Sequence, residues 1–204
     1  MRVAGKTPAA EAATPPEADV ATEVATLRAA LVRAEARIAE LEARADIDPL
    51  LDILNRRAFE RELARSIAYL DRYGGAIALV YVDLDGFKAV NDRHGHGAGD
   101  ALLRAAAAAL TGAVRASDIV ARLGGDEFAL LLWNAGEAQA QAKAAELENA
   151  VAAATVTHEG AVLSVTASAG AAAVTPGRTT AEVLDAADRA MYVRKMAARR
   201  SSRG

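Results

Sequence analysis

The apolar runs DIVA (118–121) and FALLLW (128–133) read as strands entering a core, and they are separated by only six residues, RLGGDE. The pair makes a hairpin with Gly124, Gly125, Asp126 and Glu127 at its tip. A third run, AIALVYVDLD (76–85), is a buried strand that ends on two acids, Asp83 and Asp85. Segments of helical period lie between these runs: NRRAFERELARSIAYLDRY after Asn55, DALLRAAAAALTGAVR from Asp100, EAQAQAKAAELENAVAAA, and TTAEVLDAADRAMYVRKMAAR near the C-terminus. Helices that interleave with strands predict an α/β layer fold with a mixed central sheet flanked by helices.

Smaller signals punctuate the pattern. Asn55 is placed to cap the helix that follows it, and Gly74-Gly75 to end it. FKAVNDRHGHGAG reads as a short turn of helix followed by a glycine-rich loop, and TVTHEGAVLSVTASAGAAAV as two strands around a Glu-Gly turn. Thr179 or Thr180 starts the last helix. With 52% hydrophobic and 25% charged residues, the chain can bury a sizeable core. The net charge of −3 gives no pull toward nucleic acid or anionic lipid. The absence of cysteine excludes thiol chemistry and fits a reducing cytoplasm. No apolar run reaches the roughly 18 to 20 residues that span a bilayer.

Ahead of the α/β pattern the sequence is organised differently. Residues 1–19 lack the continuous apolar stretch of a signal peptide and read as a disordered leader, and 201–204 as a disordered tail. From 20 to 47, Val24, Leu31 and Ile38 alternate with Leu27 and Leu41 in steps of three and four, with Val20, Ala34 and Ala45 continuing the seam. β-Branched residues at one core position and leucine at the other favour a parallel two-stranded coil, and the pairs Glu23/Arg28 and Arg37/Glu42 match across such a dimer. The competing reading is one amphipathic helix lying on its own domain. Pro49 interrupts the helix, and the α/β pattern then runs from 48 to 200.

Acids at a strand end and in a tight turn are costly to bury alone. They become sensible if a divalent cation sits between the two acidic sites, Asp83 with Asp85 and Asp126 with Glu127, since magnesium takes one or two carboxylates and completes its shell with substrate phosphates. Gly124 and Gly125 then let the backbone approach a ligand closely. An acidic β-turn without function is the alternative. Lys88 offers a point charge for phosphate, while Asn91 and Asp100 can pair with a nucleobase edge, guanine presenting two N–H donors and a carbonyl acceptor. His94 and His96 lack a partner carboxylate at metal-site spacing and read as part of a structural loop.

These motifs in this order resemble the GGDEF domain of diguanylate cyclases, whose signature stands unaltered at Gly124–Phe128. The likeness covers about residues 46 to 200 and includes NRRAF, DLDGFKAVND, GHGAGD and ADRAMYVRK. It implies a nucleotidyl-cyclase or polymerase-palm type of fold, preceded here by the long coiled-coil helix. It also implies that Asp83, Asp126 and the Leu84 carbonyl hold two magnesium ions (manganese being the alternative metal). Asn91 and Asp100 would read guanine, and Lys88, Lys195 and Arg199 would contact the triphosphate. One of Asp126 and Glu127 would help deprotonate the attacking hydroxyl. The reaction implied is condensation of two GTP molecules into cyclic di-GMP with release of two pyrophosphates, in a cytoplasmic homodimer whose coil brings two domains face to face.

The stretch RASD (115–118) matches the family's RxxD inhibitory site, where Arg115 and Asp118 would bind the product; an ordinary surface ion pair is the alternative. The basic tail VRKMAARRSSRG reads chiefly as a helix end that complements its dipole, with a nucleic-acid arm as the minor reading. Leu51, Asp52 and Ile53 depart from the family's usual Thr-Gly-Leu, and Leu123 stands where an aromatic is frequent. The rival to an active cyclase is a catalytically silent GGDEF domain that serves as a receptor for GTP or cyclic di-GMP.

Overall fold

The computed structural model describes residues 22–33, 41 and 46–201, with side chains 198, 199 and 201 excepted. The leader, the last three residues and the seam positions Val20, Ala34, Ile38 and Ala45 lie outside the described residues, as do Arg37 and Glu42. The chain divides into two compact units, 1–44 and 45–204. In the first, residues 22–33 are helical, and Val24, Leu27 and Leu31 are exposed (40%, 63% and 59%) on the spacing of the predicted seam.

The second unit carries a five-stranded mixed sheet in the order β1-β3-β4-β2-β7. Its strands are β1 (Leu54–Asn55), β2 (Ile77–Asp85), β3 (Ile119–Gly124), β4 (Glu127–Trp133) and β7 (Thr166–Val174). A separate hairpin is formed by β5 (Thr155–His158) and β6 (Ala161–Ser164). The helices are α1 (Arg56–Tyr73), α2 (Phe87–Gly112), α3 (Glu137–Ala153) and α4 (Thr180–Ser201). Among the described residues β1–β3 is the parallel pair of this sheet; β3–β4, β4–β2 and β2–β7 are antiparallel.

Strand parity sorts the core into two layers. Val80, Val82, Leu84, Phe128 and Leu130 pack with Leu102, Leu103 and Leu147 of α2 and α3. Leu79, Tyr81, Ala129 and Leu131 face the other way, onto Phe59, Leu63 and Ile67 of α1 and Val183, Ala187 and Met191 of α4. By the same alternation Asp83, Asp85 and Glu127 lie on the α1/α4 side, where β2 and β4 run out of apolar residues.

Local chemistry sets the helix ends. The Asn55 side chain accepts from Ala58 N at 3.1 Å, and Gly74, at φ 69°, closes α1 by donating to Leu70 O at 2.9 Å. Thr179 caps α4 reciprocally: Glu182 N donates to its hydroxyl at 3.3 Å, while its own N–H donates to Glu182 Oε2 at 2.8 Å.

Two sequence expectations change. The glycine-rich stretch after Phe87 is helix almost throughout; only Gly95, at φ 79° and ψ 167°, leaves helical geometry and kinks α2. The 155–174 segment makes three strands. Glu159 and Gly160 both take positive φ (48° and 81°), as a two-residue hairpin turn requires, and after Val165 the chain leaves that hairpin and joins the main sheet as β7.

Candidate functional site

The two acidic chain reversals meet at one end of the sheet. Asp83 sits opposite Glu127 in the β2–β4 ladder, and Leu84 N donates to Asp126 O at 3.2 Å. Gly124 and Gly125 take φ 151° and 52°, and apart from their chain neighbours nothing among the described residues stands within 4 Å of where a Cβ would lie. Burial pushes the Asp126 carboxyl above the usual range, and the Asp83 charge adds to that rise. Burial, and then the Glu127 carboxylate beside it, push the Tyr81 phenol up as well.

Two arginines brace the hairpin. Arg56 donates Nε to Leu123 O at 2.9 Å and comes within 3.9 Å of Glu127. Arg122 folds back on the turn, donating to Gly125 O at 2.7 and 3.0 Å, and its Nη1 donates to Asp48 Oδ2 at 3.1 Å. Asp48 in turn accepts from Leu50 N and Leu51 N. The segment entering the domain is thereby tied to the hairpin, with Leu51, Asp52 and Ile53 part of this same turn.

Helix α4 brings Lys195 over the acids. Its ammonium hydrogen-bonds Asp83 Oδ1 and stands 3.6 Å from Asp85 Oδ1. Asp85 is held by Ser168 Oγ at 3.0 and 3.2 Å and by Thr166 Oγ1 at 3.4 Å. The helix can come this close because residue 170 is glycine: a Cβ there would lie 1.9 Å from Met191 N. Lys195 follows Met191 by one turn, on the same face. One residue before it, Arg194 grips Glu148 of α3 at 2.5 and 3.0 Å, and Glu148 also accepts from Ala169 N.

The kink in α2 folds Asn91 back toward Gly99. A Cβ on residue 99 would stand 2.0 Å from Asn91 Oδ1, so the glycine makes room for the amide. That Oδ1 is buried without a hydrogen-bond partner among the described residues. Asp100 is the next residue, half-buried, while Lys88 is exposed in the first turn of α2. An orphaned amide oxygen and a half-buried carboxylate are both acceptors, able to meet the N–H donors of a ligand.

Arg115 and Asp118 lie at the other end of β3, roughly 20 Å from the hairpin by strand rise. Asp118 Oδ2 accepts from Arg115 N and Oδ1 from Trp133 N, both at 3.0 Å. The Arg115 guanidinium is exposed and forms no ion pair among the described residues, so a surface ion pair between the two side chains is not what is found. They line a cavity of about 230 Å³ with Trp133 and Lys143.

The sequence reading placed Asp85 with Asp83 among the candidate metal-binding acids, but Asp85 is held by Ser168 and Thr166 beside Lys195; Arg122 and Ser168 were given no role, and Arg56 entered only within the NRRAF motif. The Arg199 side chain lies outside the described residues. Among the described residues no three His, Cys, Asp or Glu side chains form a ready-made metal cage. What the site offers instead is a pair of like-charged carboxylates, one already disfavoured as an anion, a donor set that fits a divalent cation taking its remaining oxygens from elsewhere.

The family profile described as diguanylate cyclase, GGDEF domain, matches residues 45–201. The chain belongs to the GGDEF-domain family. Among curated relatives of this GGDEF domain, the probable diguanylate cyclase DgcE of Escherichia coli is 41% identical over 157 residues, covering 76% of this chain and 14% of that protein. The diguanylate cyclase TpbB of Pseudomonas aeruginosa is 38% identical over 167 residues, 81% of this chain and 38% of its own. The chain therefore spans well under half the length of either relative. Among solved structures, the coiled coil and GGDEF domain of DgcB from Caulobacter crescentus, in complex with c-di-GMP, superposes with a TM-score of 0.73 at 28% identity, covering 87% of this chain and 95% of that one. The mixed sheet flanked by helices is the fold of these relatives. No helix among the described residues is long and apolar enough to cross a membrane.

Proposed function

We propose that this GGDEF domain is an active diguanylate cyclase that condenses two GTP molecules into cyclic di-GMP. The observation carrying this reading is the convergence of Asp83 and Asp126 beneath Lys195, with the Asn91 amide oxygen unpaired one chain reversal away. Asn91 and Asp100 would orient guanine; Lys88, Lys195 and Arg199 would bind the triphosphate; Asp83, Asp126 and the Leu84 carbonyl would hold two magnesium ions. Magnesium bound there would supply acidification of the attacking hydroxyl and neutralisation of charge on the leaving pyrophosphate.

The chain's own groups do the rest. Gly124 and Gly125 leave their flank open to the nucleotide. Asp126, held above the usual carboxylate range, and Glu127, braced by Arg56, are the acids at hand to take the hydroxyl proton. The intact acids favour an enzyme over a silent receptor. Incubating purified protein with GTP and magnesium and chromatographing the nucleotides tests this: cyclic di-GMP and pyrophosphate are expected, and tight nucleotide binding with no cyclic product would favour the receptor.

Each domain offers one such nucleotide site, so turnover would require two copies. The exposed Val24, Leu27 and Leu31 stripe supports a parallel coiled-coil homodimer. Arg115 and Asp118, with their cavity, support a product-inhibition site far from the acids. A GTP-consuming enzyme of this kind belongs in the cytoplasm. Sedimentation that finds only monomer at working concentration would contradict the dimer.

A further inference from the structure

The Lys195 ammonium hydrogen-bonds Asp83 and lies 3.6 Å from Asp85. Both contacts are only partly exposed, the Lys195 and Asp83 side chains at 16% and 17%. Asp85 is pinned by Ser168 and Thr166, so it acts as a fixed dock for the ammonium. Glu127 has its own cation in Arg56. Lys195 is thus the charge that balances the Asp83 side of the site.

We infer that Lys195 is the counter-ion of the carboxylate pair in the absence of nucleotide, and that it holds off divalent metal until a triphosphate draws the ammonium away. A lysine ammonium and a divalent cation compete for the same Asp83 oxygen, and each raises the electrostatic cost of the other. A triphosphate offers the ammonium a stronger partner, freeing Asp83 as the phosphates bring their own oxygens to the metal. Metal entry and nucleotide entry are therefore coupled through one side chain. Asp85 is the positioning residue that keeps the displaced lysine nearby. The inference rests on the metal reading of Asp83 and Asp126 and adds to it a rule for when metal binds.

The test is binding of Mn²⁺ alone to the nucleotide-free protein, followed by the electron paramagnetic resonance signal of the free ion. Lys195→Met and Lys195→Gln should each bind Mn²⁺ roughly tenfold or more tightly than wild type, since a unit charge at contact distance in a half-buried site is worth at least that factor. Lys195→Arg, which keeps the charge, should stay near wild type. Two neutral variants are read together so that one misfolded protein does not decide the outcome. Equal or weaker binding in both, with Asp126→Asn still reducing Mn²⁺ affinity, overturns the counter-ion role and leaves the metal reading standing. Binding indifferent to Asp126→Asn in every background overturns both.

Discussion

Gly170 of β7 lies directly beneath Met191 of α4, so close that a methyl group at 170 would stand 1.9 Å from the Met191 nitrogen and 2.5 Å from Ala190 C. The obstacle is backbone, which cannot rotate aside. Because Lys195 sits one turn beyond Met191, this contact sets the height of the lysine above Asp83. Gly170→Ala should cost about 1–3 kcal/mol through overpacking and impair GTP turnover through a misplaced Lys195. Chemical denaturation and steady-state kinetics on the same variant check the two effects together.

Gly99 presents the opposite balance. The nearest atoms a Cβ there would meet all belong to the Asn91 side-chain amide, the far end of a rotatable group. Gly99→Ala should therefore leave thermal stability nearly unchanged while pushing the Asn91 amide out of place. The loss of one guanine-reading hydrogen bond should raise KM for GTP on the order of tenfold. Kinetics at saturating magnesium reads this directly.

The RxxD residues should separate in the same way. Both Asp118 oxygens hold backbone N–H groups, of Arg115 and Trp133, whereas the Arg115 guanidinium is free of ion pairs among the described residues. Arg115→Ala should weaken product inhibition with stability unchanged. Asp118→Ala should weaken inhibition and also lower stability by about 1 kcal/mol, as loss of a capping carboxylate does. Inhibition curves with added cyclic di-GMP, beside melting curves, distinguish the two.

Asp46 gives a pH signature at the entrance to the domain. Hydrogen bonding to Arg61, and then to Arg57, holds its carboxyl below the ordinary value of 3.8. The stabilisation is complete above that value and is lost as pH falls through the lower folded value, because the ionised form is the one favoured by folding. Carboxyl titration by nuclear magnetic resonance should find Asp46 ionised below pH 3.8, and Asp46→Asn should remove that part of the acid sensitivity.

How much of this was legible in the chain depended on range. Asn55 capping α1, Gly74 ending it, and the 122–133 hairpin are local events, written in residues a few positions apart. The acids of that hairpin and of VDLDGF could be paired by their chemistry, and β2 and β4 do place Asp83 opposite Glu127. The glycine-rich stretch misled because glycine permits a loop without requiring one; of the four glycines from Gly86 to Gly99, Gly86 precedes α2 and only Gly95 breaks the helix inside it. Ser168 and Gly170 were invisible for another reason. ASAGAAAV reads as a plain strand of small residues, and only the approach of α4 reveals that one position must lack a side chain. Arg56 and Arg122 likewise look like ordinary surface charges until the fold carries them to the turn.

Asp83 and Asp126 should share divalent metal around a guanosine triphosphate. Crystals grown with manganese and a non-hydrolysable GTP analogue, measured at the manganese absorption edge, address this directly. Anomalous peaks bridging these two carboxylates and the analogue's phosphates, with Lys195 moved from Asp83 to the phosphates, are the predicted result. A bound analogue with no metal peak at either aspartate would contradict it.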